Sequence, residues 1–225
     1  VPDAADGVFE TLLVRDGRAQ ACRRHLSRLG SSVAEVYGLA LPDGVGPAVR
    51  ARAAELRGEH RLRVDAIPRE SELEIALHSA PLDRARPRHY ALSAVTVPGG
   101  HGPHKWRDRR ALEGGGLIVD ADGSVLEAAW ANVWIVDGPR LITPPADGRL
   151  LPGVTRARLL EHAPSLGLAA IEQPIALEEA RAAPALMLTS SVALAVAATL
   201  DRTPVDVPAI IATVHEALAT GDWED

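Results

Sequence analysis

The chain opens with a short apolar run, Val8 to Val14 (VFETLLV), that ends at the turn text Arg15-Asp16-Gly17-Arg18. Its length, apolar character and flanking Asp-Gly predict a strand. From Cys22 to Leu39 the period changes. Leu26, Leu29, Val33 and Val36 recur at helical spacing, with Arg23, Arg24 and Arg28 at polar positions, which predicts one amphipathic helix. The text LPDG (Leu41 to Gly44) breaks it, and a second helix is predicted from about Gly46 to Arg57. HRLRVDAI (His60 to Ile67), ELEIALHS (Glu72 to Ser79) and the run His89 to Val97 read as strands. The segment Pro98-Gly99-Gly100-His101-Gly102-Pro103 is the densest Gly/Pro stretch and reads as a linker.

Beyond it, short apolar runs alternate with tight turns. LIVDADGSVLE predicts a hairpin through Asp122-Gly123, and NVWIVDGPRLIT another through Asp137-Gly138. A helix is expected after Leu151-Pro152-Gly153, a strand near Ala169 to Gln173, a helix followed by a strand through Leu177 to Ser190, and a last helix from about Val207 to Ala219. The pattern is α/β: a small α+β domain at 1–97, a linker at 98–104 and a larger α/β domain at 105–225, with a small-molecule site in the cleft between them.

Composition narrows the function. Apolar residues make up 47 % of the 225 positions but aromatics only 3 %, so aliphatic packing must build the core. A formal net charge of −6 gives no basic face for nucleic acid. No apolar run approaches the roughly 20 residues of a membrane span, and VPDAADG carries no signal-peptide pattern. A single cysteine, Cys22, cannot form an internal disulfide. Together these predict a cytoplasmic protein. Lys105, in HGPHKWRDRR, is the only lysine among many arginines. It is either the residue left by an Arg-favouring composition or an amine kept because a guanidinium cannot lose its proton and attack a carbonyl.

Four further features carry candidate chemistry. Glu127 ends the SVLE run, with Asn132 five residues on; a strand-end carboxylate is commonly solvated, but beside a pyridine nitrogen it would keep that nitrogen protonated. Gly153-Val154-Thr155 opens a helix, so it is either an ordinary helix start or a seat for phosphate on free N–H groups and a hydroxyl. Thr189-Ser190-Ser191 places hydroxyls at a strand end. His101 and His104 have a possible metal spacing, without further His or Cys to complete a site. There is no GxSxG elbow, P-loop or GxGxxG.

The ordered set GVFETL (Gly7 to Leu12), HLSRL (His25 to Leu29), Lys105, Glu127 with Asn132, TPPADGRLLPGVTR (Thr143 to Arg156) and TSS (Thr189 to Ser191) resembles the class IV pyridoxal-phosphate enzymes. That family includes branched-chain and D-amino-acid aminotransferases and 4-amino-4-deoxychorismate lyase. The resemblance implies a two-domain homodimer with pyridoxal 5'-phosphate between the domains. It implies Lys105 as the residue that holds the cofactor and shuttles protons, and Glu127 as the partner of the pyridine nitrogen. Arg28, Val154, Thr155 and Ser190 or Ser191 would bind the phosphate. Thr11 would face the reacting centre, and Arg107 and Arg109 would meet substrate carboxylates. Leu13 stands where many relatives carry Arg, and fewer residues precede Gly7 than is usual among them. KWRDRR is most similar to lyase members, so the lyase, releasing pyruvate and 4-aminobenzoate for folate biosynthesis, is the expected activity. An aminotransferase of branched-chain or D-amino acids is the alternative, and a non-catalytic binding protein retaining the fold is the third.

Overall fold

The computed structural model describes residues 2–83, 89–201 and 208–224. The chain forms two compact units. The first comprises Val1–Ala85, His104–Ala111 and Gly221–Asp225; the second comprises Arg86–Pro103 and Leu112–Thr220.

The first unit is a five-stranded antiparallel sheet in the order Trp223–Glu224, Arg18–Gln20, Val8–Arg15, Glu59–Arg69, Glu72–Pro81. Helices Cys22–Tyr37 and Val45–Ala54 complete it. Val8, Leu12 and Val14 of the first long strand join Leu29 and Val33 of the first helix, Val49 of the second, and Leu62 and Val64 of the next strand in one apolar core. Burying each such side chain contributes about 1.5–3 kcal/mol. Gly7 enters this strand at φ 96°, and a Cβ there would lie 2.5 Å from the Ala66 carbonyl oxygen, so only glycine fits.

On the first helix, Leu29 and Val33 of the expected apolar stripe are buried and Leu26 packs against the same core, but Val36 is only partly buried and Cys22, His25 and Ser32 share the buried face. The division at 98–104 also differs from the observed one. Lys105 does not begin the second unit, because the segment around it pairs with the first strand. Phe9 N–H donates to the Lys105 carbonyl at 2.8 Å, Arg107 N–H donates to the Gly7 carbonyl at 3.0 Å, and Val8 and Trp106 form an isolated antiparallel bridge.

The second unit holds a six-stranded mixed sheet in the order Ala169–Glu172, Arg140–Thr143, Asn132–Asp137, Ala185–Ser190, Leu194–Leu200, His89–Leu92. A four-stranded sheet runs Ile175–Ala176, Ser124–Ala128, Leu117–Val119, Ala94–Thr96. Both predicted hairpins form, with Gly123 at φ 84° and Gly138 at φ 54°. The predicted strand His89 to Val97 is two strands in two sheets. Leu92 pairs with Leu200 in one, and Ala94 pairs with Leu117 in the other. Helices Val154–His162, Leu177–Ala182 and Ala209–Thr220 match the predicted ones, while Val207 lies outside the described residues. After Lys105 a single 3-10 turn forms at Arg110–Leu112. Among the described residues no helix is long and apolar enough to cross a membrane.

Candidate active site

The residues singled out by sequence divide between the two units. In the first, Lys105 is half-buried and its Nζ lies 4.9 Å from the centroid of the Phe9 ring. Two guanidinium groups share that ring: Arg63 at 4.0 Å and Arg109 at 5.9 Å. Strand register explains the meeting. Thr11 pairs with Arg63 and Phe9 with Asp65, so these side chains emerge on one face of the sheet. Thr11 is buried on that face. Arg107 is occupied by the fold: its Nη1 donates to the Asp6 carbonyl at 2.6 Å and its Nε lies 3.3 Å from Asp65 Oδ1.

On the opposite face of the same strand sits Glu10, almost fully buried. Helix Cys22–Tyr37 presents His25 and Arg28 three residues apart, and both reach this carboxylate. Arg28 donates to it through Nε at 2.7 Å and Nη2 at 2.9 Å, and His25 Nδ1 is 2.8 Å from Oε2. Burial pushes the Glu10 carboxyl up, but the charge of Arg28 and the His25 hydrogen bond outweigh it and hold it well below the usual carboxylate range. Burial, with the nearby charges of Arg28 and Lys105, pushes His25 below its ordinary value against the pull of Glu10. A neutral His25 donates from Nδ1 to the carboxylate. Arg28 was expected to bind phosphate; the structure shows Glu10 holding it by one edge.

The second unit brings together Glu127, Asn132 and the start of helix Val154–His162. Glu127, buried at the end of its strand, accepts from Leu151 N–H at 3.3 Å, and Asn132 Nδ2 donates to the Leu151 carbonyl at 2.9 Å. Two side chains thus hold both polar groups of one residue just before the helix. Gly153 follows, and a Cβ on it would lie 1.8 Å from Asn132 Oδ1, so the approach requires glycine. No side chain caps the helix start, so its first N–H groups, at Val154 and Thr155, are available to an anion. Ser190 Oγ accepts from Ala193 N–H at 3.3 Å; Ser191 is in the turn that follows; Thr189 Oγ1 accepts from the buried indole of Trp134 at 2.9 Å. Among the described residues no group of three or more His, Cys, Asp or Glu is placed to hold a metal.

A family model described as amino-transferase class IV matches residues 7–200. The chain belongs to this family. The class IV chain is 27 % identical to a fold IV-transaminase from Curtobacterium pusillum, with a TM-score of 0.84 over 96 % of this chain and 87 % of that one. It is also 27 % identical to a hypothetical aminotransferase from Mycobacterium tuberculosis in an alpha-ketoglutarate and PMP bound form, with a TM-score of 0.82 over 95 % and 89 % of the two chains. That mycobacterial protein is known in a PLP-bound form as well. A Legionella pneumophila protein described as a candidate 4-amino-4-deoxychorismate lyase is 18 % identical, with a TM-score of 0.81 over 97 % and 93 %, a likeness of fold alone. A 79-residue stretch is 33 % identical to the mitochondrial branched-chain-amino-acid aminotransferase 1 of Arabidopsis thaliana; it takes in 34 % of this chain and 21 % of the plant protein.

The fold is therefore the two-unit class IV architecture that the motifs implied. The lyase reading fares less well than its alternative, since the more similar structures are described as aminotransferases. Phe9, Glu10, His25 and Arg63 were not singled out by sequence. One signal was available: Glu10 lies inside an apolar strand, and a buried carboxylate requires cationic partners.

Proposed function

We propose that this protein is a pyridoxal-phosphate-dependent aminotransferase that moves an amino group between an amino acid and a keto acid. The observation that carries the reading is the setting of Lys105. The chain's one primary-amine side chain lies over Phe9 in the company of Arg63 and Arg109. Neighbouring guanidinium groups favour the neutral, nucleophilic form of an amine.

The residues present fit the cofactor. An uncapped helix start suits a phosphate, and a buried carboxylate at a strand end suits a protonated pyridine nitrogen. Val154, Thr155, Ser190, Ser191 and Arg28 would hold the phosphate, Glu127 the ring nitrogen, and Lys105 the aldehyde carbon. When bound, the cofactor supplies an aldehyde for the substrate amine and a ring that accepts an electron pair. Lys105 Nζ would take the proton from the substrate α-carbon and pass it to the carbon that carried the cofactor's aldehyde, and would move a proton the opposite way in the second half of the exchange. Thr11, on the Phe9 face, lies beside that proton path. Arg109 offers positive charge to the substrate carboxylate, and Arg63, whose Nε donates to Asp65 Oδ1 at 2.7 Å, adds to it from the same ring; Arg107, tied to Asp6 and Asp65, orders the segment that carries Lys105. The protein acts on a small molecule and works as a homodimer.

The test is a direct comparison. Purified protein is incubated with a panel of L- and D-amino acids and keto-acid acceptors, and separately with 4-amino-4-deoxychorismate. Exchange of amino groups without release of pyruvate and 4-aminobenzoate is expected. Release without exchange would establish the lyase instead. Borohydride treatment should fix the cofactor on the peptide that contains Lys105; an unmodified peptide would remove the basis of both readings.

A further inference from the structure

Glu10 stands where an apolar side chain would be cheaper. Its neighbours on the helix-facing side of the strand, Val8, Leu12 and Val14, are core residues, and Glu10 is only 1 % exposed. Dehydrating a carboxylate cancels much of what its ion pairs return, so a buried pair is a poor source of stability. The geometry has a different consequence. Four donors converge on the carboxylate: Arg28 Nε at 2.7 Å on one oxygen, and Arg28 Nη2 at 2.9 Å, His25 Nδ1 at 2.8 Å and Thr11 N–H at 3.3 Å on the other. A guanidinium is a rigid planar fork. With Nε and Nη2 turned onto Glu10, the plane of Arg28 is set and its other edge is aimed away from the carboxylate. The Arg28 side chain is 13 % exposed against 1 % for Glu10, so that plane runs outward from the interior.

We propose that Glu10, itself steadied by His25, is a positioning residue that sets the plane of Arg28 for the phosphate of the cofactor. The proposal rests on the phosphate role of Arg28 given above. With His25 neutral, the three side chains carry no net charge. Arg28 therefore offers the phosphate oriented donors rather than an unbalanced charge. Glu10 contributes by direction and acts against the phosphate by charge, and the proposal holds that direction wins.

The test uses cofactor-free protein prepared from the holoenzyme and titrated with pyridoxal phosphate and, separately, with pyridoxal, which lacks the phosphate. Absorbance and tryptophan fluorescence report binding. Glu10→Gln keeps one acceptor for Arg28 and lets His25 adopt its other tautomer, but it removes the paired grip. It should weaken pyridoxal phosphate about tenfold or more, the scale of a charge-assisted hydrogen bond, and leave pyridoxal binding unchanged. His25→Gln should shift the same preference in the same direction by less, and it carries the test if Glu10→Gln does not fold. A merely structural Glu10 would move both ligands together. A preference for the phosphorylated ligand that stays equal or rises in Glu10→Gln, or stays equal in His25→Gln, would overturn the proposal. Arg28→Ala should weaken the preference by more than Glu10→Gln does, the helix start and the serines keeping the remainder, and adding Glu10→Gln to it should change nothing more. A preference left unchanged by Arg28→Ala would overturn the phosphate role of Arg28 itself, so the two failures are told apart.

Discussion

Replacing Gly153 by Ala tests how the start of helix Val154–His162 is held. Gly153 has φ −63° and ψ 132°, which any residue adopts, so its requirement is for space. The added methyl would lie 1.8 Å from Asn132 Oδ1 and 3.0 Å from Asn132 Cγ, far inside van der Waals contact. Asn132 can turn aside only by giving up its 2.9 Å hydrogen bond to the Leu151 carbonyl. Overpacking costs about 1–3 kcal/mol and the lost hydrogen bond about 0.5–1.5 kcal/mol, so a total near 2–4 kcal/mol is expected. At about 2–4 °C per kcal/mol for a chain of this size, Tm should fall by roughly 5–15 °C. Scanning calorimetry of the wild type, Gly153→Ala, Asn132→Ala and the double variant measures the coupling. Asn132→Ala removes the obstructing oxygen, so Gly153→Ala should cost about 1–2 kcal/mol less in that background. Additive effects within about 0.5 kcal/mol would show that the two residues do not confront each other and would refute the reasoning.

Three further outcomes are expected. Lys105→Arg keeps a cation near Phe9 but cannot supply a neutral amine, so amino-group exchange should fall at least about 10²–10⁴-fold while Tm changes little; turnover near the wild-type value would reject Lys105 as the proton carrier. Glu127→Gln leaves an acceptor for Leu151 N–H and removes only the charge, so turnover should drop about 10²-fold with little loss of Tm, and equal turnover would show that the carboxylate serves the loop alone. His25 and Glu10 both have folded values below their ordinary 6.5 and 4.5, so in each case the unfolded chain binds more protons at low pH. Stability should be whole above about pH 6.5, decline below it as His25 resists protonation, and decline further below about pH 4.5 as Glu10 must be protonated. Urea unfolding across that range should show a shallower decline for His25→Gln between pH 6.5 and 4.5; identical slopes would remove His25 from the account.

Local elements were largely legible because their signals are local. Asp122-Gly123 and Asp137-Gly138 specify tight turns by themselves, and Gly153 before Val154 marks a helix start. The break at Ser93 was not legible, because nothing in His89 to Val97 says that Leu92 and Ala94 pair into different sheets. The return of Lys105 to the first unit was equally hidden: it rests on backbone bonds to Phe9 and Gly7, nearly a hundred positions away. Among the chemical residues, motif order pointed to Lys105, Glu127 and the Val154-Thr155 seat. Phe9 and Arg63 escaped because only strand register brings them to the lysine. Arg107 and Arg109 are alike in sequence; the bonds of Arg107 to Asp6 and Asp65, and the place of Arg109 near the Phe9 ring, come from the fold.

The threading of the first unit also bears on how the protein is made. Arg18–Gln20 needs Trp223–Glu224 as its edge partner, and Gln20 Nε2 donates at 2.9 Å to a carbonyl 201 positions further along, at Gly221. Domains tend to fold as they leave the ribosome, amino terminus first. Here Arg18–Gln20 must wait, with one border unpaired, until residues 201 positions beyond Gln20 have been translated. Nascent chains stalled before Gly221 should therefore depend on chaperones far more than the released polypeptide does.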